Sequence, residues 1–248
     1  MTTPGPMGTA NAWGVRTYLN QGLNGAEDLT AVLDFLAGAA DRTPVLTPDT
    51  VVDTAEAYLN FRDPESNPAT NGVIPNDLPF PGDALSTATN GGTARGDDHV
   101  ITSAHGTIQI AAEGDYTFNI HCDDGFMFRI RAASGPHPKF IATGGPGSVD
   151  QMQQNLLFFP AGTGDADTRG IVHLTPGSYK LEYVTWEGGG GFFYEVSVAH
   201  GFFPANADTS TWTPVGISSN RTTPIQYPSM VGQWAVDSTM AESTSKVW

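Results

Sequence analysis

GDYTFNIHCDDGFMFRI, residues 114–130, places apolar side chains at every second position on both sides of an Asp-Asp-Gly sequence. Alternation with a period of two is typical of β-strands that bury one face. If residues 123–125 form a three-residue loop, Cys122 pairs with Phe126, and the apolar side chains of both strands share one face. Gly125 then lies where such a loop favours a left-handed residue. The stretch therefore predicts a β-hairpin with one face in a hydrophobic core.

A second glycine-containing loop follows a similar pattern in TWEGGGGFFYE, residues 185–195. Treating residues 187–191 as a five-residue loop pairs Trp186 with Phe192 across a second hairpin. Four consecutive glycines carry no side chains, so the loop either moves freely or lets a ligand approach the backbone closely. The flanking Trp186 and Phe192 are either core residues or a shelf on which a sugar ring stacks.

The strand pattern recurs between residues 100 and 200, with turn residues roughly every 8–14 positions. This rhythm predicts an all-β fold, an antiparallel and jelly-roll-like β-sandwich with long loops and one short amphipathic helix near the N terminus. We predict that the sandwich spans residues 1–204. Residues 205–248 lose the apolar periodicity, so we expect an irregular polar segment that packs on the sandwich or extends from it.

One segment near the N terminus has helical periodicity. Leu29, Val32, Leu33 and Leu36 stand at positions i, i+3, i+4 and i+7, which places them on one face of an α-helix. Acidic residues precede this series, and glycine and proline follow it, as is usual at the two ends of a helix. We predict a packing helix near residues 25–39 that has no catalytic role.

Charge excludes two classes of partner. Among the 248 residues, 11 are basic and 26 are acidic, which gives a net charge of −15. A field of this sign opposes binding to nucleic acid and to anionic lipid. No apolar run in the sequence approaches the roughly 20 residues that span a bilayer. We therefore predict neither nucleic-acid binding nor membrane insertion.

The composition favours an extracellular or cell-surface location. An acidic, lysine-poor sequence rich in glycine, threonine and asparagine is typical of exported bacterial proteins. The first residues lack a charged region followed by an apolar region, so we expect no signal peptide in this chain. Cys122 is the single cysteine, which excludes an intramolecular disulfide, and we expect it to be a buried apolar residue.

No catalytic motif is present in the sequence. It contains no nucleophile elbow, no phosphate-binding glycine loop and no zinc-protease motif. The six histidines have no spacing that is typical of zinc ligands. Two carboxylates adjoin Cys122 and disfavour its thiolate, which makes it a poor nucleophile. We predict that the protein is not an enzyme.

The adjacent carboxylates of Asp123 and Asp124 have two interpretations. In the first, they are solvated turn residues. In the second, they form part of a calcium site, because like charges repel and calcium prefers carboxylate and carbonyl oxygens. Taken alone, the pair leaves both interpretations open.

The segments EGDYTFNIHCDDGFMFRI and LTPGSYKLEYVTWEGGGGFFYEV resemble the anthrax-protective-antigen-type β-sandwich, the fourteen-kilodalton protective-antigen family. The resemblance covers roughly residues 100–200 and rests on two ordered motifs at suitable spacing. It implies a fold for carbohydrate recognition and adhesion, related to the lectin domains of flocculins. In the lectin branch, two neighbouring aspartates joined by a cis peptide bond bind calcium, which holds sugar hydroxyls. That role falls here on Asp123 and Asp124.

The lectin branch also uses an asparagine on a second loop, where this chain has Glu187 followed by four glycines. The resemblance implies a non-catalytic module that binds a glycan or cell-surface polysaccharide, or mediates adhesion, with Ca²⁺ as a cofactor at the aspartate pair. The ligand contacts that we expect are Trp186, Glu187, Gly188, Gly189, Gly190, Gly191 and Phe192. The alternative is a structural subunit that self-associates into cell-surface or extracellular filaments, with the sandwich as a scaffold.

Overall fold

The computed structural model describes residues 13–19, 23, 26–38, 46, 48, 50–63, 72–83, 98–205, 211–216 and 225–226. Its helix and strands, numbered along the chain, are β1 (Trp13–Leu19), α1 (Leu29–Leu36), β2 (Thr50–Glu56), β3 (Asn60–Arg62), β4 (Leu78–Pro79), β5 (Val100–Ile110), β6 (Gly114–Asp123), β7 (Phe126–Ala132), β8 (Phe140–Gly144), β9 (Ser148–Val149), β10 (Leu156–Phe159), β11 (Ala166–Leu174), β12 (Gly177–Glu187), β13 (Phe193–His200), β14 (Thr213–Pro214) and β15 (Ile225–Gln226).

These strands form two sheets that pack into a β-sandwich, which confirms the predicted fold class. The first sheet has the order β2-β1-β5-β12-β7-β10-β9, and β15 also pairs with β5. The second has the order β4-β3-β13-β6-β11-β8, and β14 also pairs with β13. Neighbouring strands are antiparallel except for β3 and β4. Several consecutive strands therefore lie in opposite sheets.

The main core lies between the two sheets. The predicted apolar series of β6 and β7 both face it, and the rings of Phe118 and Phe128 contact each other at 5.1 Å between centroids. Cys122 is buried in this core, as expected. Each fully buried large apolar side chain contributes roughly 1.5–3 kcal/mol of transfer free energy. The alternate side chains of these strands therefore stabilise the fold through their burial.

Helix α1 covers the outer face of the first sheet. It begins at the N-cap Asp28, whose Oδ1 accepts a hydrogen bond from the backbone N–H of Ala31 at 2.8 Å. The predicted leucine and valine face is buried and packs against Met127 and Val184, which point away from the main core. The helix prediction is confirmed. Among the described residues, no helix has the length and apolar character that crossing a membrane requires.

Both predicted hairpins are wrong. Cys122 pairs with Tyr194 rather than with Phe126, because β6 and β7 belong to different sheets. Trp186 and Phe192 likewise flank a connection from one sheet to the other, between β12 and β13. In a sandwich, the two sheets turn their apolar faces toward each other. A connection between sheets therefore requires the same alternation of side chains as a hairpin within one sheet.

Part of the predicted irregular segment belongs to the sandwich. Val215 is buried in the main core, and Trp212 is also buried. The indole N–H of Trp13 donates a hydrogen bond to the carbonyl oxygen of Val215 at 2.6 Å. Apart from residues 205, 211–216 and 225–226, the segment from 205 to 248 lies outside the described residues.

Candidate functional site

Three connections between the sheets meet at one end of the sandwich. Residues 124–125 lead from β6 to β7, residues 160–165 from β10 to β11, and residues 188–192 from β12 to β13. Each crosses the gap between the sheets, and the other two connections each donate a backbone N–H to the side chain of Asp124 in the first. Polar residues that are distant in sequence are thereby brought together at this end.

The carboxylate of Asp124 is held by the two neighbouring connections. Its Oδ1 accepts the backbone N–H of Thr163 at 2.9 Å, and its Oδ2 accepts that of Gly188 at 3.0 Å. The backbone N–H of Asp124 donates to the carbonyl oxygen of Trp186 at 3.0 Å. A Cβ atom on Gly162 would lie 3.1 Å from Oδ1, so the bare backbone there fits closely around the carboxylate. The orientation of this side chain is fixed by the fold.

Asp123, Asp124 and Glu187 form a cluster of three carboxylates. Each offers one oxygen atom, and the three atoms lie within 4.8 Å of one another. The two aspartates are half-buried, whereas Glu187 is 1% exposed. Its Oε1 accepts the backbone N–H of Gly189 at 2.5 Å. Its Oε2 is buried and has no hydrogen-bond partner among the described residues, which is costly for a carboxylate unless a cation binds it.

The pKa values of two of these carboxyls are raised. Burial raises the pKa of Asp123 to about 7, and the nearby charges of Asp124 and Asp165 add to the increase. Burial raises the pKa of Glu187 to about 9, with further increases from the two aspartates of the cluster. Within the described part of the chain, no lysine or arginine is among the charged groups that shift these two pKa values. The charge of His121 opposes the increase at Asp123, and in the absence of a cation the cluster favours protonated carboxyls.

The donor set of this cluster fits a hard divalent cation. All three side chains offer carboxylate oxygens, which calcium and magnesium prefer, and the cluster contains no thiolate or imidazole ligand of the kind favoured by zinc or copper. The buried Oε2 of Glu187 is an acceptor without a donor, as a metal ligand would be. The peptide bond between Asp123 and Asp124 is cis, which is the geometry that the family resemblance implies for this pair.

Trp186 and Phe192 do not form the stacking shelf that we considered from the sequence. Both side chains are 0% exposed. Trp186 packs with the residues of helix α1 on the outer face of the first sheet, and Phe192 packs against Phe80 and Tyr194 in the main core. Since neither ring offers a face to solvent, these two residues support the loop and cannot stack on a ligand.

The four glycines between them remain accessible. Gly189 and Gly190 are exposed, and Gly190 has a φ of +117°, in the region that favours glycine. The backbone N–H of Gly190 donates to Oδ1 of Asp98 at 3.2 Å. Asp98 lies just before β5 in the sequence, and only the fold brings it to the glycine loop. Whether Gly188, Gly189, Gly190 and Gly191 contact a ligand stays a prediction.

A second polar cluster adjoins the carboxylates on the outer face of the second sheet. The imidazole of His121 lies between two aspartates, with Nδ1 at 3.0 Å from Oδ1 of Asp167 and Nε2 at 2.9 Å from Oδ1 of Asp165. Burial lowers the pKa of His121, but the hydrogen bond to Asp167 and the two aspartate charges outweigh burial and leave the pKa raised. No sequence motif predicts this grouping, since its members come from two separate strands and a loop.

No family model matches the chain, and no curated protein matches it. Three solved structures illustrate what its fold is similar to. The PA14 sugar-binding domain from an RTX adhesin is 15% identical, with 78% of this chain and 91% of that chain covered and a TM-score of 0.45. The PA14 domain of the antifreeze protein MpAFP is 12% identical, with coverages of 89% and 100% and a TM-score of 0.44.

The third is the Epithelial Adhesin 9 A domain from Candida glabrata, in complex with Galb1-4GlcNAc. It is 12% identical, with 80% of this chain and 86% of that chain covered and a TM-score of 0.43. At identities below 25% and TM-scores below 0.5, these similarities assign neither a family nor a ligand to this chain.

Proposed function

We propose that this chain is a non-catalytic extracellular module that binds carbohydrate through a calcium ion held by Asp123, Asp124 and Glu187. The observation that carries the proposal is the convergence of three carboxylates within 4.8 Å at one end of the sandwich. Burial and mutual repulsion disfavour the ionised forms of Asp123 and Glu187, and a bound cation offsets both effects. The unpartnered Oε2 of Glu187 also favours a cation.

The three side chains have different roles in this proposal. Asp124 is oriented by two backbone N–H groups and presents its carboxylate in one direction. Glu187 supplies an oxygen from the buried side of the cluster, and the half-exposed Asp123 supplies one from the solvent side. Calcium takes six to eight oxygen ligands, so three carboxylates do not fill its coordination. When bound, the ion offers its remaining positions to the hydroxyl groups of a sugar.

Glu187 stands on the loop where the family resemblance implies an asparagine. A carboxylate adds a negative charge that an amide lacks, so we assign Glu187 to the metal and not to the sugar. The neighbouring glycines carry no side chains, and their exposed backbone leaves space for a ring beside the ion.

Thermal unfolding in calcium and in EGTA tests the metal. A ligand that binds the folded state at about one hundred times its Kd stabilises it by roughly 2.7 kcal/mol, which raises Tm by several degrees. We expect this increase in the wild type, and a much smaller one in Glu187→Gln and Asp124→Asn. The control is Glu113→Gln, which makes the same chemical change at a side chain that is 65% exposed. In EGTA near neutral pH, Glu187→Gln should be at least as stable as the wild type, because glutamine is neutral without the proton that the buried carboxyl must hold.

An equal response to calcium in the wild type and in Glu187→Gln, or no response in the wild type, would show that the cluster is not a calcium site. The sugar is tested separately on a glycan array, with calcium and with EGTA. Binding that disappears in EGTA supports the full proposal. A calcium-dependent Tm without any glycan bound in calcium would retain the metal site and reject its role in carbohydrate binding.

A further inference from the structure

A cavity lies away from the carboxylate cluster, on the outer face of the first sheet. Its volume is about 440 Å³, within the roughly 300–1,000 Å³ of small-molecule sites. Strand β7 forms its floor, the connection from β7 to β8 one wall, and the turn between β9 and β10 the other. Strand β7 begins beside the carboxylate cluster at Phe126. Arg131 on the cavity floor is five residues further along this strand, a distance of about 17 Å.

The floor of this cavity is basic, in a protein of net charge −15. Alternation along β7 turns Phe128 and Ile130 into the main core, which directs Arg129 and Arg131 to the outer face and into the cavity. Both guanidinium groups contact the buried carboxylate of Glu182, Arg129 at 3.1 Å. That contact neutralises one of the two positive charges and holds the arginines in place beneath the opening.

The rim extends the positive charge. Lys139 is exposed at the opening, and no acidic residue is among the described residues that line the cavity. Arginine binds carboxylates through two parallel hydrogen bonds, and lysine adds a mobile point charge. A negatively charged group that reaches the floor would therefore meet exposed Lys139 and partly exposed Arg131, with the buried Arg129 behind them.

The walls are held by hydrogen bonds within the protein, which the lining residues themselves make. The side-chain amide of Asn155 donates to the carbonyl oxygen of Ile130 at 2.9 Å, and the N–H of Phe140 donates to the carbonyl oxygen of Gln154 at 2.8 Å. Asp150 caps the turn by accepting the N–H of Met152 at 2.9 Å. These hydrogen bonds fix the positions of the cavity walls within the fold.

The lining combines this charge with neutral polar and apolar groups. Gln153 and Gln154 offer amide donors and acceptors, whereas Pro136, Pro138 and the 74% exposed Met152 offer apolar surface. A sugar ring has hydroxyl groups for the amides and C–H faces for the apolar side chains, and a uronic acid adds the carboxylate that the basic floor requires. We infer that this cavity binds a carboxylate-bearing saccharide of one or two rings. It needs no calcium, so it is independent of the proposed carboxylate site.

Titration of the ¹⁵N-labelled full-length chain with digalacturonate in EGTA tests this inference. We expect saturable NMR shifts at residues 129–139 and 152–155, and much weaker binding of neutral digalactose and of inorganic phosphate. Lys139→Gln should weaken digalacturonate about three- to tenfold, since it removes one charge at the rim. The control Arg16→Gln removes the same charge from β1, three strands away in the sheet order, and should leave the affinity unchanged.

Asp124→Asn should also retain digalacturonate binding, which separates this cavity from the proposed calcium site. The inference is wrong if digalacturonate causes no saturable shifts in these residues, or if digalactose or phosphate binds as tightly. It is equally wrong if Lys139→Gln binds digalacturonate with the wild-type affinity, because Lys139 is exposed and its substitution leaves the buried arginines and Glu182 intact.

Discussion

Glu195 makes the stability of the fold depend on pH. Its side chain lies on β13 and is 1% exposed. One carboxylate oxygen, Oε2, accepts the backbone N–H of Ile74 at 2.7 Å, and the other has no hydrogen-bond partner among the described residues. Burial raises the pKa of Glu195 to about 7, although the hydrogen bond from Ile74 and the charge of His121 oppose the increase. The folded state therefore favours the protonated form of this carboxyl.

The direction of the pH effect follows from proton linkage. In the unfolded chain the carboxyl titrates near its ordinary pKa of 4.5, whereas in the folded state it titrates near 7. Between these values the folded state holds a proton that the unfolded state has released. The contribution of Glu195 to stability is therefore greatest below about pH 4.5 and falls as the pH rises toward 7. At 1.36 kcal/mol per pKa unit, Glu195 removes about 3 kcal/mol by pH 7. For a domain of this size, that corresponds to a decrease in Tm of roughly 6–12 °C.

The variant Glu195→Gln isolates this contribution, since glutamine keeps an acceptor for the N–H of Ile74 and does not titrate. Urea unfolding of both proteins in EGTA, at about pH 5 and about pH 8, gives the difference in free energy of unfolding at each pH. Other titrating groups affect both proteins and largely cancel in that difference. We expect the variant to gain about 2.5 kcal/mol relative to the wild type between the two pH values, because at about pH 5 the wild type has already lost part of this stability. A difference that changes by less than about 0.5 kcal/mol would refute the reasoning.

Two further predictions concern packing and charge. Gly125→Ala should destabilise the protein by about 2–3 kcal/mol, because the added Cβ would lie 2.5 and 2.6 Å from the backbone carbonyl oxygens of Phe159 and Ala161. Urea unfolding measures this loss, and Gly164→Ala is the control. It should destabilise the protein by less than about 0.5 kcal/mol, since nothing lies within 4 Å of the added atom. Equal effects of the two substitutions would contradict the packing argument. Arg16 and Asp53 form two hydrogen bonds of 2.6 and 2.8 Å on the surface. A double-mutant cycle should give them a coupling of at most about 1 kcal/mol that declines in about 1 M salt, and a larger or salt-independent coupling would be inconsistent with a solvent-screened pair.

The local periodicities were sufficient to predict the fold class and the helix. Alternate apolar residues must all lie on one side of an extended strand, so the faces of β6 and β7 that enter the core follow from the sequence. The helical spacing from Leu29 to Leu36 likewise determines which side of α1 is buried. The adjacency of Asp123 and Asp124 was enough to indicate a candidate cation site, since peptide geometry alone keeps neighbouring carboxylates close.

Strand partners and the composition of the candidate site depended on tertiary structure. Side-chain parity is the same for a hairpin and for a connection between sheets, so the sequence led to the wrong partner for Cys122. Because two such connections end side by side, Glu187 joins an aspartate pair that is more than sixty residues away in the chain. Burial of Trp186 likewise depends on a helix that covers the outer face of its sheet. Sequence patterns thus determined which side of each element is buried, and only the packing of distant elements decided which polar groups meet and which aromatic rings are enclosed.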